Sequence, residues 1–521
     1  MSLYRNFLSV GGLTLLSRVA GFVRDALMAA VLGIGPVADA FNAAFRFPNL
    51  FRRLFAEGAF NTAFVPMFST AFEQEGPDKA RELAGRIISW LVAAILVVTI
   101  LAEIFMPQLM ALFVPGFTDS PEKFELTVFL TRLMFPYLAC MSLMAAYGAI
   151  LNSLGRFFAA AFAPVLLNIV NIAVLVPLAI VTLNEQADIA FWLAIAALAG
   201  GVAQLALVYW AIRRAGFVPR LSLPRFNGEV RRFWILAVPA IIAGGITQIN
   251  IFVGTVIASG ADDAISIISN ADRLYQLPLG IIGIAIGTVL LPELSRHLGA
   301  GREEEARATQ SQSLLLSMLF SLPAAAALMT IPVPIVRVLF ERGQFNAADS
   351  VAVGQTLVGF AIGLPAFVLI RVLQPGFFSR KDTVTPTILA GVSVVANIAI
   401  SLLLFPSLQA LGIALATSIS AWINVAGLGV LLSLRGHFAL TLDELRRHGL
   451  ILLSAVVMGG VLVLLSNRGA VIFAPGGSLL LQIVALAAIC LFSAALFFTL
   501  VHFSGAQPLG ALLSRLRRRR R

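Results

Sequence analysis

An all-α polytopic membrane protein is the fold class this sequence predicts, with about fourteen transmembrane helices as two pseudo-symmetric six-helix lobes plus two C-terminal helices. Three observations predict it. Of the 521 residues, 59% are hydrophobic and only 12% charged, where a soluble chain carries about a quarter charged residues. So much apolar surface cannot be hidden inside the chain itself. Apolar runs of about 20 residues, each able to cross a ~30 Å hydrocarbon layer as a helix, recur from end to end. Basic residues, finally, crowd into alternate loops, so the formal charge of +11 reads as membrane topology and not as nucleic-acid binding.

The runs fall at 7–33, 37–72, 87–107, 125–152, 160–183, 189–212, 233–258, 264–295, 311–335, 350–378, 385–405, 410–434, 449–467 and 478–503. The first reads as a retained span. Arg18, Arg24 and Asp25 interrupt it, and it lacks the charged start, short apolar stretch and small-residue cleavage site of a signal peptide. The second and eighth are overlong and contain Pro48 and Pro66, and Pro278 and Pro292; both are expected to bend.

Placing the N-terminus in the cytoplasm puts 25 Lys and Arg in cytoplasmic segments and four outside, namely Lys123, Arg337, Arg342 and Arg468. That asymmetry orients the chain with both termini inside. The closing Arg517 to Arg521 run then reads as a lipid-headgroup anchor. A shift of 226 residues pairs Thr62, Pro66, Ser69, Ala80 and Arg81 with Thr288, Pro292, Ser295, Ala306 and Arg307. A shift of 227 pairs Pro107, Leu112, Phe113 and Gly116 with Pro334, Leu339, Phe340 and Gly343. The expected organisation is an N-lobe over 1–225, a C-lobe over 226–440, a final helix pair over 441–505 and a basic cytoplasmic tail over 506–521. Lobes of six spans enter the membrane in the same direction, as in a rocking transporter with a cavity between its halves.

Eight basic residues lie inside the runs: Arg18, Arg24, Arg46, Arg52, Arg53, Arg132, Arg273 and Arg371. Each costs at least ~2.5–3.5 kcal/mol at a helix centre on insertion scales, so none should face lipid. The nearby acids are fewer: Asp25, Asp39, Glu57 and Asp272. Arg18 and Arg24 flank one broad helix face, while Arg18 and Asp25 share a face. Packing ion pairs are one reading, and Arg53, Arg132 and Arg371 suit it best because they can snorkel or pair locally. The other is a water-filled cavity whose surplus guanidinium groups grip an anionic, phosphorylated ligand.

Other chemistries lack their residues. The only lysines, Lys79, Lys123 and Lys381, do not follow glycine, which excludes a Walker A loop and its ATP. His297, His437, His448 and His502 lie near span ends or loops, leaving no His–acid pair at membrane depth for an enzyme. Cys140 and Cys490 allow one bridge at most.

The segment Phe45-Arg46-Phe47-Pro48-Asn49-Leu50-Phe51-Arg52-Arg53-Leu54-Phe55-Ala56-Glu57-Gly58-Ala59-Phe60 resembles the signature of the MurJ (MviN) lipid II flippases. So do Ser17-Arg18 through Gly21 with Arg24-Asp25, and Ala271-Asp272-Arg273-Leu274. The resemblance covers essentially the whole chain. That family is grouped with multidrug and polysaccharide exporters on a twelve-helix core. It implies a multi-pass protein of the bacterial cell inner membrane, not an enzyme, serving peptidoglycan synthesis, cell-wall biogenesis and cell shape. Its implied partners are lipid II (undecaprenyl-pyrophosphate-MurNAc-pentapeptide-GlcNAc), membrane phospholipids and other cell-wall synthesis proteins.

Carried over by position, Arg18, Arg24 and Arg273 match the cations that meet the pyrophosphate, with Asp25 orienting them and Arg52 also in the binding set. Asp39, Ser17, Asn49, Glu57, Ser266 and Asp272 match gating or structural positions, and the last two helices match the pair that forms the lipid-tail groove. One departure is Gln276, where some members have an acid. Another is the lack of an interior acid in the seventh run, with only Asp382 near the eleventh; no cofactor is expected, and sodium coupling is disfavoured. A flippase for another polyprenyl-pyrophosphate oligosaccharide and a multidrug exporter on the same core are the alternatives, the latter opposed by a cavity that repels cations.

Overall fold

The computed structural model describes residues 3–53, 60–181 and 185–507, with side chains except at 3–9, 60–61, 242–243 and 284–289. Glu57 and most of the basic tail, 508–521, lie outside the described residues. Every described element is helical, and the chain divides into two compact units.

The first unit comprises Met1–Ser266 with Arg342–Phe345. Its helices are α1 (Leu3–Leu32), α2 (Pro36–Arg52), α3 (Phe60–Gln74), α4 (Pro77–Phe113), α5 (Pro121–Met134), α6 (Tyr137–Ser153), α7 (Phe158–Ile180), α8 (Gln186–Arg214) and α9 (Gly228–Ala258). A 3-10 turn, Pro115–Asp119, separates α4 from α5. The second expected run contains α2 and α3, and residues 54–59 between them lie outside the described residues. The fourth is divided by a turn at Phe135 and Pro136, where proline withdraws an N–H from the helical ladder. The seventh bends by 46° between Ile241 and Gly244.

Glycines make the close approaches of this unit possible. A Cβ on Gly116 would lie 2.1 Å from the Ser259 carbonyl oxygen, and one on Gly343 2.2 Å from that of Ala30. These are the two glycines paired by the internal repeat, and each presses on the backbone at the end of a long helix. Beside Gly343, whose φ is +59°, the Gln344 N–H donates to the Ala30 carbonyl at 2.8 Å.

The second unit comprises Ile267–Glu341 and Asn346–Arg521. It holds most of α10 (Ala264–Gly299), then α11 (Glu303–Thr330), α12 (Pro332–Phe340), α13 (Ala347–Phe378), α14 (Val384–Leu434), α15 (Leu442–Arg468) and α16 (Leu479–Phe503). The tenth run begins where it should because Asn346 and Asp349 form a reciprocal capping box at the start of α13; such a box satisfies two orphan N–H groups. Helix α10 continues as one element through Pro278 and Pro292.

The 51-residue α14 contains both the eleventh and twelfth runs as two helices meeting at Gln409, with φ 46° and ψ −124°. They fold back on each other. Ser393 Oγ donates to the Ser420 carbonyl at 2.8 Å, and Gly412 abuts the backbone of Leu404. After it, α15 packs on α11 and α16. Arg337 of α12 clasps the loop between α15 and α16 by donating to the Phe473 carbonyl. Its Nε also donates to Glu341 at 2.6 Å, and Glu341 accepts from Ser350 Oγ at 2.6 Å.

Among the described residues nine helices are long and apolar enough to cross a membrane, or ten with the bent α9 as one span. That falls short of fourteen. The count takes α14, which holds two runs, once, and leaves out α1, the run that contains α2 and α3, and α10.

Candidate functional site

The first unit carries most of the candidate residues, and α1 carries two of the cations, Arg18 and Arg24. Arg18 and Ser17 line an open groove of about 440 Å³ together with Thr14, Asn152, Phe157 and Pro164. No acid lines it, and Arg18 makes no ion pair with a described residue. A half-buried guanidinium with no acid beside it leaves donors free to engage an anion. Behind Ser17, Asn168 Nδ2 of α7 donates to the Ser17 carbonyl at 3.0 Å.

Two turns along α1, Arg24 donates from Nε and Nη2 to Asp25 Oδ1 at 3.0 and 2.7 Å. Adjacent side chains on a helix do not face each other, so the guanidinium folds back along the helix to reach its neighbour. Asp25 is thus engaged by Arg24. Asp25, which shares a helix face with Arg18, does not line the groove that Arg18 lines.

The end of α2 forms a short relay. Arg52 Nε donates to Asn49 Oδ1 at 3.0 Å, and Asn49 Nδ2 donates to the Phe45 carbonyl at 2.8 Å. One turn earlier, Arg46 reaches Thr255 of α9 at 3.4 Å.

Asp39 is fully buried. Its Oδ2 holds Lys123 Nζ at 2.9 Å, and its Oδ1 accepts the backbone N–H of Ser266 at 2.8 Å. Lys123 also stands 4.1 Å over the Phe117 ring. This lysine was grouped with the external loop cations, yet only 8% of its side chain is accessible. Its rarity was the available signal, for the chain has only three lysines and a buried lysine requires a paired acid.

In the second unit, Asp272 accepts from Gln276 one turn on along α10. Tyr275 is stacked on Phe360 of α13, with centroids 4.9 Å apart. Arg273 and Gln276 are exposed on the same helix. Asp382, the acid considered for sodium, accepts from Arg435 at 2.5 Å and from the Thr385 N–H at 2.9 Å. Hydrogen bonds from Thr385 and then Arg435 hold its carboxyl well below the usual range.

Long apolar helices with guanidinium groups set among them define a polytopic helical membrane protein of the transporter type. An inward-facing multidrug resistance MATE family transporter of the MOP superfamily has this fold, with a TM-score of 0.67 at 15% identity over 82% of this chain and 97% of its own. A lipid II flippase MurJ in an inward closed conformation superposes with a TM-score of 0.76 at 23% identity, covering 96% of this chain and 99% of its own. The family model described as lipid II flippase MurJ matches residues 28–484. A probable lipid II flippase MurJ of Rhizobium tropici is 47% identical over 521 residues, covering 100% of this chain and 98% of that protein. One from Rhizobium meliloti (strain 1021) is 46% identical over 519 residues, covering 99% and 96%. The chain belongs to the MurJ lipid II flippase family.

Proposed function

We propose that this chain is a lipid II flippase of the bacterial cell inner membrane. It moves undecaprenyl-pyrophosphate-linked muropeptide from the cytoplasmic to the periplasmic leaflet by alternating access. The observation that carries this reading is kinship with lipid II flippases along the whole chain. The chemistry of the first unit supports it, because Arg18 faces an acid-free groove that suits a phosphate.

On this reading Arg18, Arg24, Arg52 and Arg273 form a cationic cavity, with Asp25 orienting Arg24. Ser17, Asp39, Asn49, Glu57, Ser266 and Asp272 serve gating and support. The lobes 1–225 and 226–440 rock, the pair within 441–505 receives the lipid tail, and the tail 506–521 rests on cytoplasmic phospholipid headgroups. Both termini are cytoplasmic. The chain transports without chemical turnover, ATP or a resident cofactor, alongside other cell-wall synthesis proteins. Membrane potential supplies the drive: an interior-negative potential favours outward movement of an anion by about 2.3 kcal/mol per charge per 100 mV.

The test is native mass spectrometry of the purified protein with lipid II, with undecaprenyl phosphate and a cationic dye as competitors. Selective lipid II binding, lost in Arg24→Ala and Arg273→Ala, is the expected result. Preference for the dye would favour the multidrug exporter. Unchanged binding in both variants would return these arginines to packing roles.

A further inference from the structure

Arg371 lies within α13, seven residues before the helix ends at Phe378, or about 10 Å inside at the usual helical rise. It is exposed, although most of its helix is buried, and it makes no hydrogen bond or ion pair with a described residue. Gln374 is half-buried one turn further on.

The side chain is seated and not stretched toward the helix end. A Cβ on Gly283 of α10 would lie 2.8 Å from Arg371 Cδ, 3.0 Å from Nη1 and 3.1 Å from Nε. The guanidinium therefore lies flat on α10 where glycine leaves room, which holds the charge at that depth. The two helices run parallel here. Tyr275 contacts Phe360 and Phe367, and eight residues later Gly283 contacts Arg371.

Ten residues separate Arg273 from Gly283, so their backbone positions lie about 15 Å apart along α10. The exposed polar side chains Arg273 and Gln276 lie toward one end of that interval and Arg371 at the other. An unpaired guanidinium at this depth and facing lipid would cost about 2.5–3.5 kcal/mol, whereas a phosphate would engage its donors.

We infer that Arg371, seated on Gly283, is a second phosphate-contacting cation of this unit, engaging the lipid pyrophosphate nearer the cytoplasmic end of the path than Arg273. The inference rests on the lipid II flippase reading. It assigns Arg371 to capture and Arg273 to the deeper step.

Reconstituted vesicles titrated with lipid II test it. Arg371→Gln should raise the half-saturating lipid II level at least about tenfold, the loss of one charged hydrogen bond, with turnover at saturation retained. Arg371→Lys should recover part of the loss. Gly283→Val, which keeps the charge but displaces it, should behave like Arg371→Gln. Binding of sugar-free undecaprenyl pyrophosphate and of undecaprenyl phosphate is measured in parallel, and Arg371→Gln should weaken the pyrophosphate more. Half-saturation equal to wild type, or a lower melting temperature with an unchanged pyrophosphate preference, would overturn the assignment. A wild-type protein that binds undecaprenyl pyrophosphate but does not move lipid II would overturn the flippase reading, leaving Arg371 to be judged on the binding arm.

Discussion

Asp39 caps a helix to which it does not belong: from α2, its carboxylate accepts the N–H of Ser266 in the first turn of α10 at 2.8 Å. The first N–H groups of a helix lack intrahelical acceptors and carry partial positive charge, so a carboxylate is favourable there. Its other oxygen neutralises Lys123 on α5. One buried acid thus ties three helices together.

Replacing Asp39 should expose the cost of that arrangement. Asp39→Asn leaves Lys123 buried without its counter-charge, and breaking such a pair typically costs about 3–5 kcal/mol. The melting temperature in detergent should fall sharply. Asp39→Asn with Lys123→Met should be less destabilised than Asp39→Asn alone; additive losses would show that the pair contributes no coupling.

Gln409 should be improved by glycine. Its φ of 46° with ψ of −124° lies where a side chain is strained, and such positions cost of the order of 1–3 kcal/mol. Gln409→Gly is expected to raise thermal stability by about 1 kcal/mol, since greater freedom of the unfolded chain offsets part of the gain. A lower melting temperature would argue against strain at this turn.

Gly343→Ala should act in the opposite direction. The added methyl would meet the Ala30 carbonyl oxygen at 2.2 Å, at a φ of +59°. A loss of at least about 1 kcal/mol is expected, read as faster hydrogen exchange at Gln344, whose N–H bonds that same carbonyl.

Acid should loosen the turn around Asp382. Its carboxyl titrates below the ordinary value because Thr385 and Arg435 favour the charged form. A depressed folded value gives stability that is complete above the unfolded pKa of about 3.9 and is lost as pH falls toward the folded one. The protection factor of the Thr385 amide, its exchange rate corrected for the intrinsic pH dependence, should therefore be constant from about pH 5 to 8 and fall progressively below about pH 4. In Asp382→Asn it should be lower throughout and show no such fall.

The helical runs were legible because apolar length is a local property of sequence. The hairpin in α14 was legible as two runs, because Pro406 and Gln409 interrupt the apolar pattern between them. The site was less so. Lys123 finds Asp39 across 84 residues, a relation invisible to loop charge counting. Arg24 pairs with its immediate neighbour, against the three-and-four spacing that helical faces suggest, because a long guanidinium can bend back. Arg371 looked suited to snorkelling, and only the glycine on a different helix reveals its seat.

The clasp between Arg337 and Phe473 engages a main-chain carbonyl. Every residue type supplies that acceptor, so the side chain at 473 carries none of the information for this bond. Substitutions along the loop can accumulate without loosening it, provided the backbone keeps its path. Arg337 has no such latitude, because lysine offers a single point charge where Arg337 serves Glu341 and a carbonyl at once. Drift in the α15–α16 loop is thereby uncoupled from the attachment of the helices it joins.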